Sequence, residues 1–276
     1  MPELPEVELV SRSLDDLVRG SRIVSAELRR PRLAPDIDAE QFAARLGGSS
    51  INFIHRRGKH ILFDLDNART LIVHLRMSGR FSLLAAEAED PKFTHAVFQI
   101  DDGTRLVFDD QRHFGLMKVV ETVDLNEAKE LKKLAPEPFS DEFSIEYLRS
   151  ALASTKRSLK EFLLDQTKVC GLGNIYAAEA MFAAGIDPRT TADKVSVVKA
   201  RRLFESIRAV LTMAIDGSRQ GKVDPENIDG KYFSGDGERG WLVYDREGEP
   251  CVKCGTPIIR LKQGGRSTYY CRKCQR

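Results

Sequence analysis

The amino terminus reads Met1-Pro2-Glu3-Leu4-Pro5-Glu6, and its second residue could act as a nucleophile. Removal of the initiator Met, which is usual before Pro, would leave Pro2 with a free secondary amine. An α-amine titrates near pH 8, roughly 2 units below lysine, so part of it is unprotonated at neutral pH. Attack on an aldehyde-like carbon would give an iminium, with Glu3 placed to move a proton. The same residues are also typical of a helix start, because Pro suits the first turn and acids suit the positive end of the helix dipole.

A second chemical pattern lies at the carboxyl end, where four of the five cysteines are spaced as Cys251-x2-Cys254-x16-Cys271-x2-Cys274. Two Cys-x2-Cys pairs supply four thiolates that can close tetrahedrally around one zinc ion. Because thiolates fill every position, the spacing indicates a structural metal and not a catalytic one. Disulfides are the weaker alternative in a reducing compartment. The basic hairpin between the pairs could lie along a nucleic-acid groove, although a zinc ribbon can also serve only to stabilise a fold.

Two predicted strand ends carry unusual side chains. His74–Gly79 offers Met77, and Asp110–Gly115 offers Arg112 and Phe114. Met and Phe at such positions usually belong to a core. If they are exposed, they are the residue types that wedge between bases and fill the space left by a flipped nucleotide.

A glycine-rich turn precedes a predicted helix at Gly171-Leu172-Gly173-Asn174. Gly-x-Gly before a helix lets backbone N–H groups approach a phosphate, and Asn174 adds a further donor. The pattern is short, and an ordinary helix–helix turn is the alternative interpretation.

Composition places the chain among folded proteins large enough for two domains. It has 276 residues, 42% hydrophobic and 30% charged, with a net charge of only +2. Basic residues cluster at residues 54–60 and 251–276, which fits a local nucleic-acid footprint better than a cationic tail, although most charge runs are only solvated faces. No apolar run reaches membrane-spanning length and the acidic start is unlike a signal peptide, so we expect an intracellular protein.

These residues must be positioned by two different kinds of secondary structure. Leu4–Val18 predicts an amphipathic helix that ends before Gly20. Short strands follow at Ile23–Leu28, Ile51–Ile54, His60–Leu65, Thr70–Leu75, Arg80–Leu84, His95–Ile100, Arg105–Phe108 and Leu116–Val120, with a short helix near Glu40–Leu46. This pattern is typical of an antiparallel sandwich or barrel. Helices are then predicted at Asn126–Leu134, Ser144–Leu152, Arg157–Gln166, Asn174–Ala184 and Ser196–Ile215, and the glycine-rich segment Asp216–Gly240 predicts a mobile loop.

Together these motifs resemble one family, the bacterial formamidopyrimidine-DNA glycosylases, within the larger group that includes endonuclease VIII. The matching segments follow the family order: Pro2–Glu6, Arg57-Gly58-Lys59, His74–Gly79, Arg112–Gly115, Gly171–Tyr176 and the four-cysteine finger. Leu4 favours the formamidopyrimidine branch, because endonuclease VIII proteins typically have Gly there. The resemblance implies an α+β fold: an N-terminal helix with an antiparallel β-sandwich, then a helix–two-turn–helix domain and a C-terminal zinc-finger β-hairpin.

The resemblance also implies a bifunctional base-excision enzyme, a DNA glycosylase and AP lyase, that acts on oxidised purines in duplex DNA. Pro2 would attack C1′ of a flipped nucleoside, and Glu3 would move protons at the sugar. Lys59 would be the acid for β-elimination, and Arg266 would assist δ-elimination. The family positions that grip DNA phosphates are His95, Arg112, Lys156 and Asn174, and those that fill the void are Met77, Arg112 and Phe114.

The implied cofactor is one structural zinc ion, held by Cys251, Cys254, Cys271 and Cys274, with no organic cofactor. The implied partner is duplex DNA with oxidised or abasic sites. We expect no membrane partner, a monomer, and a location in the bacterial cytoplasm with the nucleoid. The expected domains are residues 1–132 (catalytic), 133–222 (helix–two-turn–helix), 223–240 (lesion-capping loop and linker) and 241–276 (finger).

The sequence departs from the family pattern in three places. Asp110-Gln111-Arg112-His113-Phe114-Gly115 stands for the usual Asp-Pro-Arg-Arg-Phe-Gly, and Arg76 replaces a frequent Gly. The capping loop lacks its usual Gly-Gly-Thr/Ser start and reads Asp216–Gly221 instead. The altered loop leaves open a preference for oxidised pyrimidines, as in endonuclease VIII. Besides these two enzymatic hypotheses, a third is a non-catalytic DNA-binding protein. The presence of Pro2, Glu3 and Lys59 together argues against it.

Overall fold

A computed structural model describes residues 1–217, 224–228 and 240–276. These residues form two compact units. The first comprises Met1–Lys132 with residues 224–228, and the second comprises Lys133–Gly217 with residues 240–276. Among the described residues, no helix combines the length and the apolar character that crossing a membrane requires.

The first unit is the predicted antiparallel β-sandwich with its N-terminal helix. One sheet has the strand order β2-β3-β4-β8 and the other β1-β6-β7-β5. The strands are β1 Ile23–Leu28, β2 Ile51–Arg57, β3 His60–Leu65, β4 Arg69–His74, β5 Gly79–Leu84, β6 Thr94–Ile100, β7 Arg105–Asp110 and β8 Leu116–Glu121. One hydrophobic core takes side chains from both sheets and from helices α1 (Leu4–Val18) and α2 (Ala39–Leu46). The sequence prediction of this fold is therefore confirmed.

Helix α1 has the predicted bounds and the predicted buried stripe. Val7, Val10, Leu14 and Val18 lie in the core, as their helical spacing requires. Gly20 follows the helix with φ +81°, a left-handed conformation that glycine adopts without steric cost. The buried stripe therefore anchors the helix from Val7 to Val18, and Gly20 lets the chain turn away after the helix ends.

Part of the segment predicted as a mobile loop belongs instead to regular structure. Asp216 and Gly217 complete helix α6. Ile228 is fully buried in the sandwich core and exchanges backbone hydrogen bonds with Phe81 of β5. The prediction is wrong at these positions because an apolar side chain after a polar stretch can dock on an open sheet edge. Residues 224–227 and 240 form turns or irregular chain, in keeping with the prediction, and residues 218–223 and 229–239 lie outside the described residues.

The second unit contains the four later helices and a two-stranded hairpin. The helices are α3 Ile145–Ala153, α4 Leu159–Leu164, α5 Asn174–Ala184 and α6 Val197–Gly217, and the hairpin strands are β9 Ile259–Gln263 and β10 Arg266–Tyr270. Helix α4 is shorter than predicted. Ser158 caps its start by accepting the Glu161 N–H, and Asp165 ends it in an extended conformation. The side chain of Asp165 then accepts the Thr167 N–H, which stabilises a turn and not another helical residue.

The predicted helix Asn126–Leu134 is wrong. A 3₁₀ helix occupies Thr122–Glu127, and successive turns follow. Ala128 and Leu131 are buried by these turns. A helix of this length gains little on its own, and Pro136 and Pro138 prevent its extension. The helical periodicity in this segment therefore reflects alternate burial along a connection between the two units.

The finger is attached to α5 within the second unit. The buried carboxylate of Glu179 accepts the backbone N–H groups of Leu242, Val243 and Tyr244 at 2.9, 3.0 and 2.9 Å. Apolar side chains of α5 and of the finger share a small core, which includes Phe182. Three bonds to one carboxylate fix the chain that leads into the first cysteine pair.

Candidate functional site

Pro2 lies immediately before the capped start of α1. The Glu3 side chain accepts the backbone N–H of Glu6, and the Glu6 carboxylate accepts the Glu3 N–H at 2.8 Å. This reciprocal capping box holds the first turn rigid. Glu3 is buried, whereas Pro2 is half-buried and Met1 is exposed. The helix-start interpretation is confirmed, and it places the amine of Pro2 on an ordered element.

Lys59 lies in the two-residue turn between β2 and β3, with only 6% of its surface exposed. Gly58 precedes it with φ +61°. The Arg56 side chain joins this turn to α1, since it contacts the Glu8 carboxylate at 2.9 Å and donates to the Gly58 carbonyl at 3.1 Å. The helix that carries Pro2 is thereby tied to the turn that carries Lys59.

Two buried histidines lie beside Lys59. The rings of His60 and His74 meet edge to face, with centroids 4.7 Å apart. Burial lowers the pKa of His60 to about 4. Burial, helped by the charges of His60, Arg76 and Lys59, lowers the pKa of His74 to about 2. Both rings are therefore neutral at pH 7, and His74 Nδ1 accepts the Arg76 N–H at 2.9 Å.

The sequence-predicted wedge residues are exposed and lie on two adjoining turns. Met77 and Phe114 expose 46% and 48% of their surfaces, and Arg112 is also exposed. The Arg112 guanidinium lies over the Phe114 ring at 5.4 Å. Ser78, next to Met77, accepts the Arg112 N–H at 3.0 Å and so joins the turns. Exposed apolar side chains held in this way are available to a partner.

Two of the three residues that depart from the family pattern in these turns occupy left-handed positions. Arg76 has φ +55° and His113 has φ +58°. A residue with a Cβ pays steric strain there, so the frequent family Gly in place of Arg76 has a conformational explanation. Arg76 and His113 immediately precede Met77 and Phe114, so both wedge side chains follow a constrained backbone.

His95 is placed differently from a simple phosphate ligand. It is 3% exposed, and its Nε2 lies 2.9 Å from His113 Nδ1 in a stacked pair of rings. Burial lowers the pKa of His95, although the charge of Asp110 opposes this effect. A contact from this pair to DNA would therefore run through the half-buried His113 as well as through His95.

In the second unit, the glycine-rich turn brings Asn174 to the finger hairpin. The Asn174 Nδ2 donates to the Ser267 carbonyl at 3.0 Å, and its buried Oδ1 has no hydrogen-bond partner among the described residues. Gly171 has φ +84° and donates its N–H to Gln166. The contact places Asn174 beside Ser267, the neighbour of Arg266 in β10. Arg266 and Lys156 are both exposed.

The four cysteines form a site that fits one zinc ion. Their sulfurs all lie within 4.8 Å of one another, with Cys251–Cys274 at 3.9 Å and Cys254–Cys271 at 3.5 Å. Zn–S bonds of about 2.3 Å in a tetrahedron require sulfur separations of roughly 3.8 Å, which these distances bracket. All four are free thiols, so the disulfide alternative is wrong.

The thiol pKa values show how ionisation of this cluster depends on a bound cation. A hydrogen bond from Thr256 lowers the pKa of Cys254 to about 6. Burial raises the pKa of Cys271, and burial raises that of Cys274 to about 12. Without a metal the cluster resists further ionisation after one thiolate forms, whereas a bound divalent cation stabilises all four thiolates.

Sequence reasoning missed the residues that hold the candidate site in place. They are the Glu8–Arg56 pair, the three-bond carboxylate of Glu179, and the buried Asp110 between the wedge turns. Glu8 and Glu179 lie within predicted helices, and Asp110 follows a predicted strand, so the only signal for each was an acid in or beside an apolar element. Acids are almost never fully buried without partners, so such positions merit a search for donors.

Family models match nearly the whole chain. Residues 1–117 match the formamidopyrimidine-DNA glycosylase N-terminal domain, residues 134–224 its H2TH domain, and residues 248–276 the zinc finger found in FPG and IleRS. Formamidopyrimidine-DNA glycosylase of Bacillus subtilis is 41% identical over 281 residues, covering 100% of this chain and 99% of the relative. The protein of that name from Heliobacterium modesticaldum is 42% identical, with both chains covered in full.

Solved structures show the same likeness. A Lactococcus lactis Fpg mutant in complex with DNA containing Fapy-dG matches with a TM-score of 0.90 and 33% identity, covering 100% of both chains. Wild-type Lactococcus lactis Fpg in complex with DNA containing an oxidised pyrimidine matches equally well, at 0.90 and 33%, again over 100% of both chains. The two units and the four-cysteine finger therefore define a DNA-repair glycosylase fold. The chain belongs to the formamidopyrimidine-DNA glycosylase family.

Proposed function

We propose that this chain removes oxidised purines from duplex DNA and then cleaves the strand, with Pro2 as the nucleophile. The observation that carries the proposal is the rigid, capped helix end that presents Pro2 and Glu3, tied through Arg56 to the Lys59 turn. A family-wide fold match over both units supports it. We further propose domains at residues 1–132, 133–222, 223–240 and 241–276, and a cytoplasmic location with the bacterial DNA.

The reaction needs an amine, acids and bases, and no metal at the reacting carbon. The Pro2 nitrogen lone pair attacks C1′ as the N-glycosidic bond breaks and the base leaves with a proton. The nitrogen loses its proton and then expels O4′ from C1′; O4′ takes up a proton, the sugar ring opens, and an iminium forms between Pro2 and C1′. This iminium acidifies the C2′ proton, whose removal expels the 3′ phosphate. Glu3 moves protons at the sugar, and Lys59 is the acid for this β-elimination. A second elimination expels the 5′ phosphate with assistance from Arg266.

Binding is divided between the units. Met77, Arg112 and Phe114 fill the space left by the flipped nucleotide, since their exposure on adjoining turns suits insertion into a base stack. His95, Arg112, Lys156 and Asn174 grip phosphates. The zinc ion, held by Cys251, Cys254, Cys271 and Cys274, supplies folding energy to the hairpin that carries Arg266.

Oxidised pyrimidines are a second candidate substrate class. The Lactococcus lactis relative has been crystallised with DNA containing an oxidised pyrimidine, so this fold accommodates such a lesion. Leu4 and the family match favour the formamidopyrimidine branch for the principal substrate. A non-catalytic DNA-binding role is the alternative from another class, and it predicts no covalent intermediate with any duplex.

Borohydride trapping tests the proposal. The zinc-loaded chain is incubated with duplexes that carry 8-oxoguanine, a formamidopyrimidine, thymine glycol or an abasic site, and covalent adducts are resolved by electrophoresis. We expect adducts with the two purine lesions and with the abasic site. No adduct on any duplex would refute the enzymatic function, and adducts with thymine glycol and abasic DNA alone would establish the pyrimidine preference.

Two variants assign the nucleophile. Pro2→Gly should trap abasic DNA far more slowly than the natural chain, because the secondary amine is lost. Pro35→Gly, at an exposed turn position, is the matched control and should trap at the natural rate. Equal trapping by all three proteins would exclude Pro2 as the principal nucleophile.

A further inference from the structure

The fully buried side chain of Asp110 lies beneath both wedge turns. Its Oδ2 accepts the backbone N–H groups of Phe114 and Gly115, each at 2.7 Å. Its Oδ1 accepts the hydroxyl of Ser78 and the backbone N–H of Arg112, the latter at 3.2 Å. One carboxylate therefore bonds the turn that carries Met77 and the turn that carries Arg112 and Phe114.

The surroundings leave these turns little freedom to adjust without the carboxylate. The Phe108 ring lies so close that a Cβ at Gly79 or Gly115 would stand 2.7 or 2.8 Å from its Cζ atom. The glycines of both turns therefore pack against the Phe108 ring, and both turns form hydrogen bonds with Asp110. Burial alone would raise the pKa of Asp110, but the bonds from Ser78, Gly115, Phe114 and Arg112 outweigh it and lower the pKa, so the group is an acceptor-only carboxylate at neutral pH.

We infer that Asp110 is a positioning residue for lesion extrusion: its carboxylate locks the two wedge turns together so that Met77, Arg112 and Phe114 enter the DNA as one unit. The inference rests on the proposed glycosylase function. Its physical basis is preorganisation, since side chains held before binding lose less entropy on insertion into the base stack. An amide at this position retains one acceptor oxygen and replaces the other by a donor, which faces N–H or O–H groups that also donate.

The inference predicts different effects on the excision rate of 8-oxoguanine and on the nicking rate of an abasic site, whereas a general loss of structure would lower both rates together. Excision of 8-oxoguanine requires a stacked base to be extruded, whereas an abasic site has no base to extrude. We expect Asp110→Asn to lower the single-turnover excision rate by about tenfold while the nicking rate of a preformed abasic duplex changes less than about threefold. Fluorescence of 2-aminopurine placed beside the lesion should report slower base displacement.

The matched control is Asp109→Asn. Asp109 is also buried, on the same strand but on the opposite face, and its partner is Arg80 at 2.6 Å. At saturating enzyme this variant should lower both rates equally, or neither. Ser78→Ala removes the hydroxyl that bonds to Asp110 and to the Arg112 N–H, and it should show the same selective loss of excision as Asp110→Asn, with a smaller effect. If Asp110→Asn does not fold, the Ser78→Ala result tests the inference alone.

All proteins are compared as the full zinc-loaded chain. An equal loss of excision and abasic nicking in both Asp110→Asn and Ser78→Ala would overturn the inference. An inactive natural chain would instead overturn the proposed function, so the two failures are distinguishable.

Discussion

Mild acid should destabilise the first unit through the buried histidines His60 and His74. Their pKa values in the folded chain are about 4 and about 2, against an unfolded value of 6.5. The unfolded state therefore binds more protons below pH 6.5, so stability is fully present above that pH and falls as the pH is lowered. From pH 7 to 5 each ring lowers the free energy of unfolding by about 2 kcal/mol, or roughly 4 kcal/mol for both, because the slope approaches 1.36 kcal/mol per pH unit only below pH 6.5.

Such a loss is a large share of the free energy of unfolding of a typical domain, which is about 5–15 kcal/mol. Urea denaturation at pH 7, 6 and 5 with zinc present measures it. His60→Leu should flatten the slope by about 1 kcal/mol per pH unit, whereas His55→Gln, a half-exposed histidine paired with Asp64 on the same hairpin, is the control. If the natural chain and His60→Leu lose equal stability between pH 7 and 5, the histidines are not buried in their neutral form.

Three further perturbations have expected outcomes. Cys254→Ala should lose zinc and DNA affinity together, measured by metal analysis and by anisotropy of a labelled abasic duplex; full affinity in the metal-free variant would refute a zinc-supported grip. Arg266→Ala should keep the β-elimination product and reduce the δ-elimination product about tenfold on sequencing gels; an unchanged product ratio would remove its assigned role. Arg76→Gly should raise the free energy of unfolding by about 1 kcal/mol by relieving a left-handed backbone, and no gain in urea denaturation would contradict strain there.

The strands and helices with a clear apolar period could be predicted from the sequence. All eight predicted strands of the sandwich are present, with ends no more than three residues from the predicted ones, and α1 and α5 have the predicted bounds. The helix prediction from apolar spacing failed at Asn126–Leu134, because alternate burial in a turn-rich connection produces the same spacing of apolar residues as a short helix. Ile228 was missed because one apolar residue in a polar segment has no period at all.

Some residues of the candidate site could also be predicted from the sequence, and others could not. Residues with distinctive chemistry, such as Pro2, Lys59 and the cysteines, could be recognised because side-chain type and spacing carry the signal. Residues that act through burial could not, because their partners come from distant positions. Glu179 needs the backbone donors of the chain before the finger, and Asp110 links two turns only when the fold brings Ser78 to it. The contact between His95 and His113 is also tertiary, because His95 lies in β6 and His113 lies in the turn between β7 and β8.

The identity of the amino acid joined to DNA tests the central proposal most directly. The borohydride-trapped complex with abasic DNA is digested, and the modified peptide is sequenced by mass spectrometry. We expect the sugar remnant on the nitrogen of Pro2, in a peptide that has lost Met1, and no trapping by chain that retains Met1, because its Pro2 nitrogen is an amide. A remnant on Lys59 or any other lysine, or efficient trapping with Met1 in place, would contradict a nucleophilic amino-terminal proline.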